Sequence, residues 1–519
     1  MSVQTESDSA PHLNAFIYTP YKTTQAILPV TDDLLRGKDS IELGPYITDI
    51  SWSHSTTSPY SEAKVSVLVP IDLIDEIGFG YYDKDREEIN LHASAYLMIA
   101  EFFYVEGTKD GDLRVVFTGP ITGLTLGFKV DKKLGLGQTV PITFTASTWL
   151  MPLMRGFIVS GKEGLDIGES VIPYKKWQKI SRAVFESASQ DGLTEALKSA
   201  WEALGKETIE AVLFGRVLVG PRSGNEYYRF LKDEATLSTA PQESADVYGR
   251  NLSQLQPPPV AGSLWGVIQG TFQASPLIEL FPLQIHATLR REGKPDFLFT
   301  EYSLVYRLRP LHPRIAENHT EYLKKMGLKG QDMDEPISFV PTTEVPRPLE
   351  AKHVLSYDLS YSDARNNYIE VTSPYTGSTP LAGISCDPLY HEGDIKVYGL
   401  FRVSVPYPYI RSKDDSDQKI RDEMNELTKY ASLLYSFDHK YASGTLTTKY
   451  MWKSSLSHGD WVRWRQTGKD RSFYTGYITK VTHSLRVNEL GVLEGTSTYN
   501  VERTDLAYIP RGEANITDD

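Results

Sequence analysis

The residues best placed by type and spacing to do chemistry are two groups of carboxylates: Asp358 with Asp363, and Asp387 with Glu392 and Asp394. A pair of carboxyls flanking a glycosidic bond can serve as acid and base, so either group could in principle sit in a glycosidase-like cleft. An acidic chain offers such pairs freely, and their spacing in sequence does not bring them together in space. His54, His92, His312, His391, His439, His458 and His483 fall at intervals that suggest no shared metal face. No HExxH helix, GxSxG elbow, complete GxxxxGK(S/T) phosphate loop or dinucleotide fingerprint occurs. Asp191 to Glu195 fails the calcium-loop spacing, and Cys386, the only cysteine, has no thiol partner for a disulfide or a zinc site. The expectation is a chain that works without catalytic, cofactor-binding or metal-binding residues, by assembling with other chains.

Composition narrows the partners. A formal charge of −13 over 519 residues argues against a general nucleic-acid-binding surface, which needs concentrated Lys and Arg to displace counterions. It remains compatible with a conduit that repels phosphates. If the chain lines one, the strands facing the axis should carry excess Asp and Glu, or at least no continuous basic stripe. The 31 tyrosines and 8 tryptophans suit both protein interfaces and β-sheets, and a glycan-binding module would show them too. The start of the chain, Met1 to Pro11, lacks a signal-peptide pattern, and no run approaches eighteen apolar residues.

The elements that must position these residues read as mainly β with α+β insertions. Strand-like segments run from Tyr46–Ser53 and Ala63–Val69 through Leu97–Val105, Leu113–Phe117 and Ile121–Phe128 to Thr139–Thr145, a set able to close as a sandwich or small barrel. Helical stripes follow at Tyr174–Phe185 and Leu193–Leu204. Gln256 to Val260, with three prolines, marks a linker, and Ser263 can cap a helix carrying Leu264, Ile268 and Phe272 that Pro276 would end. Short strands are expected at Leu280–Ala287, Phe297–Phe299 and Leu304–Leu308, then a polar surface excursion over Arg314–Pro348. Strands resume at Val354–Leu359 and Asn367–Thr372. A helix over 418–435 and strands at Thr445–Tyr450, Trp461–Trp464, Ser472–Arg486 and Gly491–Glu502 complete the pattern.

Several of these stretches, taken in order, carry a resemblance. Gly262 to Gly270, containing Trp265, is followed by Ser275-Pro276-Leu277-Ile278-Glu279-Leu280-Phe281, by Gly293-Lys294-Pro295, and by Tyr306-Arg307-Leu308-Arg309-Pro310. Val354 to Leu359 with Asp358, then Asp363 and Asn366-Asn367-Tyr368, lead on to Gly459-Asp460, Phe473-Tyr474, Val481 to Leu485 around His483, and Gly495 to Arg503. This succession resembles the central hub proteins of bacteriophage tail baseplates, which are related to the hubs of contractile injection machines. The segment Asp296 to Val305 is longer than that pattern expects, so the match is looser there.

The resemblance implies two tube-like antiparallel β-barrel domains with mixed α/β peripheral domains. It places an N-terminal arm at 1–40, the first barrel at 41–150, a helical or mixed domain at 151–255 and an α+β domain with an extended loop at 256–350. The second barrel takes 351–380 with 440–505, an insertion takes 381–439, and an acidic tail takes 506–519. Trp265, Pro276, Glu279, Phe281, Arg307, Arg309, Asp358, Asp363, Asn367, Gly459, Asp460, Tyr474, His483 and Arg503 are then structural positions of the family type. The implied assembly is a homotrimer in the virion tail baseplate, put together in the host cytoplasm. Its partners would be the tail tube protein, a trimeric central spike, the tape measure protein and baseplate wedge or ring proteins, with genomic DNA passing through unbound. The alternative is a carbohydrate-binding or glycan-degrading tail component.

Overall fold

The computed structural model describes residues 12–18, 40–70, 96–103, 112–127, 139–148, 261–273, 275–291, 294–335, 345–363, 365–372, 386–407, 417–451, 456–465, 472–488 and 492–508, with short isolated pieces elsewhere. The helical stripes expected at 174–185 and 193–204, and the proline run at 256–260, lie outside the described residues.

One large sheet organises the chain. Its thirteen described strands are β1 (His12–Tyr18), β2 (Ser40–Glu42), β3 (Ile47–Ser55), β4 (Glu62–Pro70), β5 (Tyr96–Phe103), β6 (Asp112–Leu126), β7 (Thr139–Ser147), β8 (Arg347–Leu349), β9 (Val354–Tyr361), β10 (Ala442–Lys449), β11 (Trp461–Arg465), β12 (Ser472–Val487) and β13 (Leu493–Tyr508). Their order across the sheet is β9-β10-β13-β12-β3-β4-β7-β6-β5-β1-β2, with β11 beside β12 and β8 beside β11.

Alternation sets the faces. In β4, Ala63, Val65, Val67 and Val69 are buried, while Glu62, Lys64 and Leu68 are exposed; Leu68 is the apolar residue that breaks the alternation in the sequence. With Ile50, Trp52, Ile142 and Phe144 these side chains form one core, and Leu446, Trp464, Ile478, Val481, Tyr499 and Val501 form a second. The opposite face is mostly hydroxyls: Ser51, Ser53, Ser66, Thr143 and Thr145 around β3, β4 and β7, and Ser360, Thr445, Thr447, Thr482 and Thr498 around β9, β10, β12 and β13.

The sheet contains the same unit twice. Strands β3 to β7 lie in the order β3-β4-β7-β6-β5, and β9 to β13 in the order β9-β10-β13-β12-β11, so both sets follow the chain as first, second, fifth, fourth, third. Their registers coincide. The β3–β4 ladder skips a residue between Ile47 and Asp49, and the β9–β10 ladder skips one between Val354 and Ser356. The β6–β7 ladder skips between Ile121 and Gly123, and the β12–β13 ladder between Ile478 and Lys480. Gly119 faces Leu97 as Gly476 faces Val462. A bulge re-aims a strand and fixes its register, so its recurrence at matching positions marks a shared architecture. The two units are hydrogen-bonded into one sheet by β12 and β3, antiparallel, from Lys480 opposite Ser55 to Arg486 opposite Asp49. Leu485 of the second unit is buried in the core of the first.

The structure differs from the expectation in five places. The three short strands expected over 280–308 are two long ones, Ile278–Arg291 and Lys294–Leu308, paired antiparallel almost throughout: they meet at the charged turn expected there, and the polar stretch Thr300 to Ser303, which breaks the apolar pattern, stays in the ladder opposite His286 to Leu283. The polar excursion over 314–348 contains two short helices, Pro313–Glu317 and His319–Lys325, anchored by buried Ile315 and Leu323. The strand at Tyr368–Thr372 does not join the second unit; it pairs with Leu389–Tyr390 and Arg402–Pro406 in a sheet of its own, against helix α2 (Asp417–Tyr435). The first forty residues contribute β1, paired along its length with β5, and β13 runs to Tyr508, past the expected end of the second barrel at 505. Ser263 caps helix α1 (Leu264–Phe272) as expected, its hydroxyl accepting from Gly266 N.

Candidate assembly interface

The sequence-selected residues converge where the 278–308 hairpin meets the second unit. Glu279 and Arg307 face each other across the root of the hairpin, and both side chains are buried. Arg307 Nε donates to Glu279 Oε2 at 3.2 Å, its Nη2 donates to the Gly459 carbonyl at 2.9 Å and to Tyr477 Oη at 3.0 Å, and Tyr477 Oη donates to Glu279 Oε2 at 2.7 Å. Arg309 Nε lies 3.7 Å from Glu279 Oε1 and its Nη2 3.8 Å from Glu502. A buried ion pair is tolerable only when such bonds satisfy its remaining atoms, and here three chain segments supply them. Burial, and then Glu279, push the Tyr477 phenol well above its ordinary value, so it stays a donor.

Phe281 packs against this node under the Arg307 guanidinium, 5.6 Å away, and edge-on to His458 at 5.2 Å. Gly459 has φ +83°, and a Cβ there would stand 2.7 Å from Phe281 Cζ, so only glycine fits without a shift. Asp460 Oδ2 accepts from Ser457 N at 2.8 Å and faces Arg347 at 3.6 Å, tying β8 to the same loop. Arg503 has φ +48°, donates to the Pro310 carbonyl at 2.5 Å, and lies over Trp461 and Tyr477 at 5.2 and 4.8 Å. Burial, then the Arg309 charge, lower its pKa. Beside it lies a cavity of about 250 Å³ lined by Arg309, Asp438, Tyr441, Glu502, Arg503 and others, in which burial pushes Asp438 up to about 6.

Glu279, Phe281, Arg307, Arg309, Gly459, Asp460 and Arg503 thus form one contact network. The other sequence-selected residues lie elsewhere. Trp265 is buried on α1 and Pro276 is exposed in the turn after it. Asp358 is exposed on β9, and Asp363 is exposed 4.0 Å from Arg365. Asn367 is buried and bridges Gly399 O and Phe401 N at 2.7 and 2.8 Å. Tyr474 stacks on Trp464 at 5.3 Å. His483 bonds Ser497 Oγ at 2.8 Å and lies 4.7 Å from Trp52 across the β12–β3 join. The sequence reading missed Tyr477, which closes the node; His458, read there only as one of the histidines without a shared metal face, packs beside it and stacks on His54 at 5.5 Å.

Of the carboxylates considered for catalysis, Asp358 and Asp363 are exposed, and the others are held by neighbouring side chains. Glu392 is held down to about 2 by hydrogen bonds from Lys329 and Lys396, Asp394 faces His391, and Asp387 bonds Asn425. Trp461 and Trp464 are packed in the interior. Among the described residues no group of three or more His, Cys, Asp or Glu is placed to hold a metal, and no helix is long and apolar enough to cross a membrane.

The sheet's remaining unsatisfied features are its edges. Among the described residues β9 has only β10 as partner and residues 121–126 of β6 have only β7; β2, at the far end of the sheet, and β8, beside β11, are also paired on one side. Apolar side chains stand out at the first two: Leu355 at 50% and Tyr361 at 61% exposure on β9, Leu126 at 52% on β6. Unpaired strand edges with apolar side chains are association surfaces.

No family model and no curated protein matches this sequence. Among solved structures, the chain is similar to the 43 kDa tail protein of prophage MuSo2 from Shewanella oneidensis (8% identity, TM-score 0.38, 94% of this chain and 98% of that one). It is similar to the tail protein from Neisseria meningitidis MC58 (8% identity, TM-score 0.42, 94% and 96%) and to a chain of the Francisella PdpA–VgrG complex (8% identity, TM-score 0.39, 95% and 58%).

Proposed function

We propose that this chain is a structural hub of a phage tail baseplate, a homotrimeric ring that joins a hexameric tail tube to a trimeric central spike and leaves a channel for DNA. The observation that carries this reading is the duplicated unit: one chain presents two β units of the same strand order and bulge register, already joined edge to edge. Three copies arranged head to tail would then present six similar units, which is how a threefold object meets a sixfold one. The ordered sequence resemblance to tail hubs points the same way.

The division into two β units with peripheral domains, the second unit taken at 354–361 with 442–508 as its ladders run, belongs to this proposal, as do the roles of the converging residues, which fix the 278–308 hairpin to the second unit. The partners are the tail tube protein, the spike, the tape measure protein and the surrounding baseplate proteins, in a particle assembled in the host cytoplasm. The hydroxyl face supports passage of DNA without capture: Asp49, Glu62, Lys64, Asp358, Lys449, Lys480 and Arg486 on it are of both signs, and Asp49 stands opposite Arg486. The interior packing of Trp461 and Trp464 counts against the glycan-binding reading, which would use them as platforms. Native mass spectrometry of the chain co-expressed with its tail partners tests the reading: three copies per complex are expected, and a stable single copy bound to a spike would overturn it.

A further inference from the structure

The join inside the chain predicts the join between chains. At the internal join, β12, the fourth strand of the second unit, pairs with β3, the first strand of the first unit. Among the described residues, the fourth strand of the first unit, β6, and the first strand of the second, β9, have no partner on the corresponding sides. They are the same two kinds of edge, left over.

The recurring bulges allow residues to be matched between units. Ile121 and Ile478 precede the skip in their ladders, so Leu124 corresponds to Val481 and Leu126 to His483. Ile47 and Val354 do the same, so His54 corresponds to Tyr361 and Trp52 to Leu359. At the internal join Val481 stands opposite His54, Thr482 opposite Ser53, and His483 opposite Trp52. We propose that β6 of one copy pairs antiparallel with β9 of the next, with Leu124 opposite Tyr361, Thr125 opposite Ser360 and Leu126 opposite Leu359 of the neighbouring copy.

This inference rests on the ring reading and specifies its contact. Its physical support is independent of the number of copies. His54 and His483 are half-buried at the internal join, whereas Tyr361 and Leu126, their counterparts on the free edges, are exposed at 61% and 52%. Pairing β6 to β9 would place these on one face, two residues apart along each strand, as Val481 and His483 lie against His54 and Trp52. Pairing β9 with another β9 would use one kind of edge twice and leave every β6 edge unpaired. It also has no counterpart within the chain.

Two full-length double variants test this, Leu124→Cys/Tyr361→Cys and Thr125→Cys/Ser360→Cys. Neighbouring antiparallel pairs alternate between the two spacings, and both spacings fall within reach of a disulfide. The slipped pair Leu124→Cys/Leu359→Cys is the control, and wild type reports any contribution of the buried Cys386. Purified chain and chain recovered from assembled tails are oxidised and run without reductant, and native mass is measured in parallel. Both in-register variants are expected to cross-link between copies and the control to remain uncross-linked. Three copies by mass with cross-links only in the slipped control, or in only one of the two in-register variants, would overturn this register and leave the ring reading standing. In-register cross-links in a complex of another copy number would support the register and overturn the threefold reading. No cross-link in either preparation overturns the register.

Discussion

The phenol of Tyr477 donates to Glu279 Oε2 at 2.7 Å, joining a residue of the 278–308 hairpin to one in the second unit nearly two hundred positions later. The same carboxylate oxygen holds Arg307. Glu279→Ala would leave a buried guanidinium without its counter-charge, a loss of about 3–5 kcal/mol, whereas Tyr477→Phe removes only hydrogen bonds and is expected to cost about 1–3 kcal/mol. Denaturant unfolding of both single variants and of the pair should give a double-variant cost below the sum, because all three groups act as one network.

Gly459→Ala is expected to destabilise by about 1–3 kcal/mol or more, since it combines a left-handed backbone with a Cβ 2.7 Å from Phe281. A companion Phe281→Leu should recover part of that loss by relieving the contact while leaving the backbone term. Thermal melts of the single and double variants check the ordering.

Two buried groups give opposite acid responses. Burial pushes Asp438 up to about 6, so its stabilising contribution is full below the ordinary carboxylate range and is lost as pH rises through about 6. Burial, partly offset by the bond to the Val116 carbonyl, pushes His54 down to about 4, so its contribution is present above the ordinary imidazole value and is lost as pH falls through about 4. Between about pH 4 and 6 the two slopes oppose. Asp438→Asn should therefore lose stability on acidification more steeply than the parent, and His54→Gln less steeply, as read from denaturant midpoints across that range.

The hydroxyl face gives a functional test. Thr445→Lys with Thr447→Lys and Thr498→Lys would set cations on a surface that now carries mixed charge. Particles with this variant should assemble normally and release DNA more slowly, with the defect relieved by raised salt, because each added cation holds a phosphate through counterion release. Unchanged release kinetics would count against the channel reading.

Much of the secondary structure was legible because period and punctuation are local. The alternation of β4, the Ser263 cap and the apolar stripe of α2 each lie within one turn or one strand. The hairpin was less legible because its ladder runs through the polar stretch Thr300 to Ser303, which looks like a break in sequence. The converging residues could be selected by the order of short motifs, but their common location could not, since Tyr477 and Gly459 reach Glu279 and Arg307 only through the fold. The repeat had a faint written signal, Gly119-Pro120-Ile121-Thr122 with Thr125 against Gly476-Tyr477-Ile478-Thr479 with Thr482. It is faint because the sheet constrains only the glycine facing its neighbour and the bulge, and leaves the other positions to any residue of suitable face.

The pairing of β3 with β12 also fixes an order of events during synthesis. β3 leaves the ribosome near the start of the chain and its partner near the end, so the first unit waits with that edge open while some four hundred residues are made. Throughout that interval the open β3 edge is of the same kind as the edge that β9 later presents. A finished neighbour's β6 would fit it too. Polysomes carrying several nascent copies would therefore favour exchange of this join between chains, and a chaperone that covers β3 until β12 arrives would act at the step where a correct ring and a tangled one diverge.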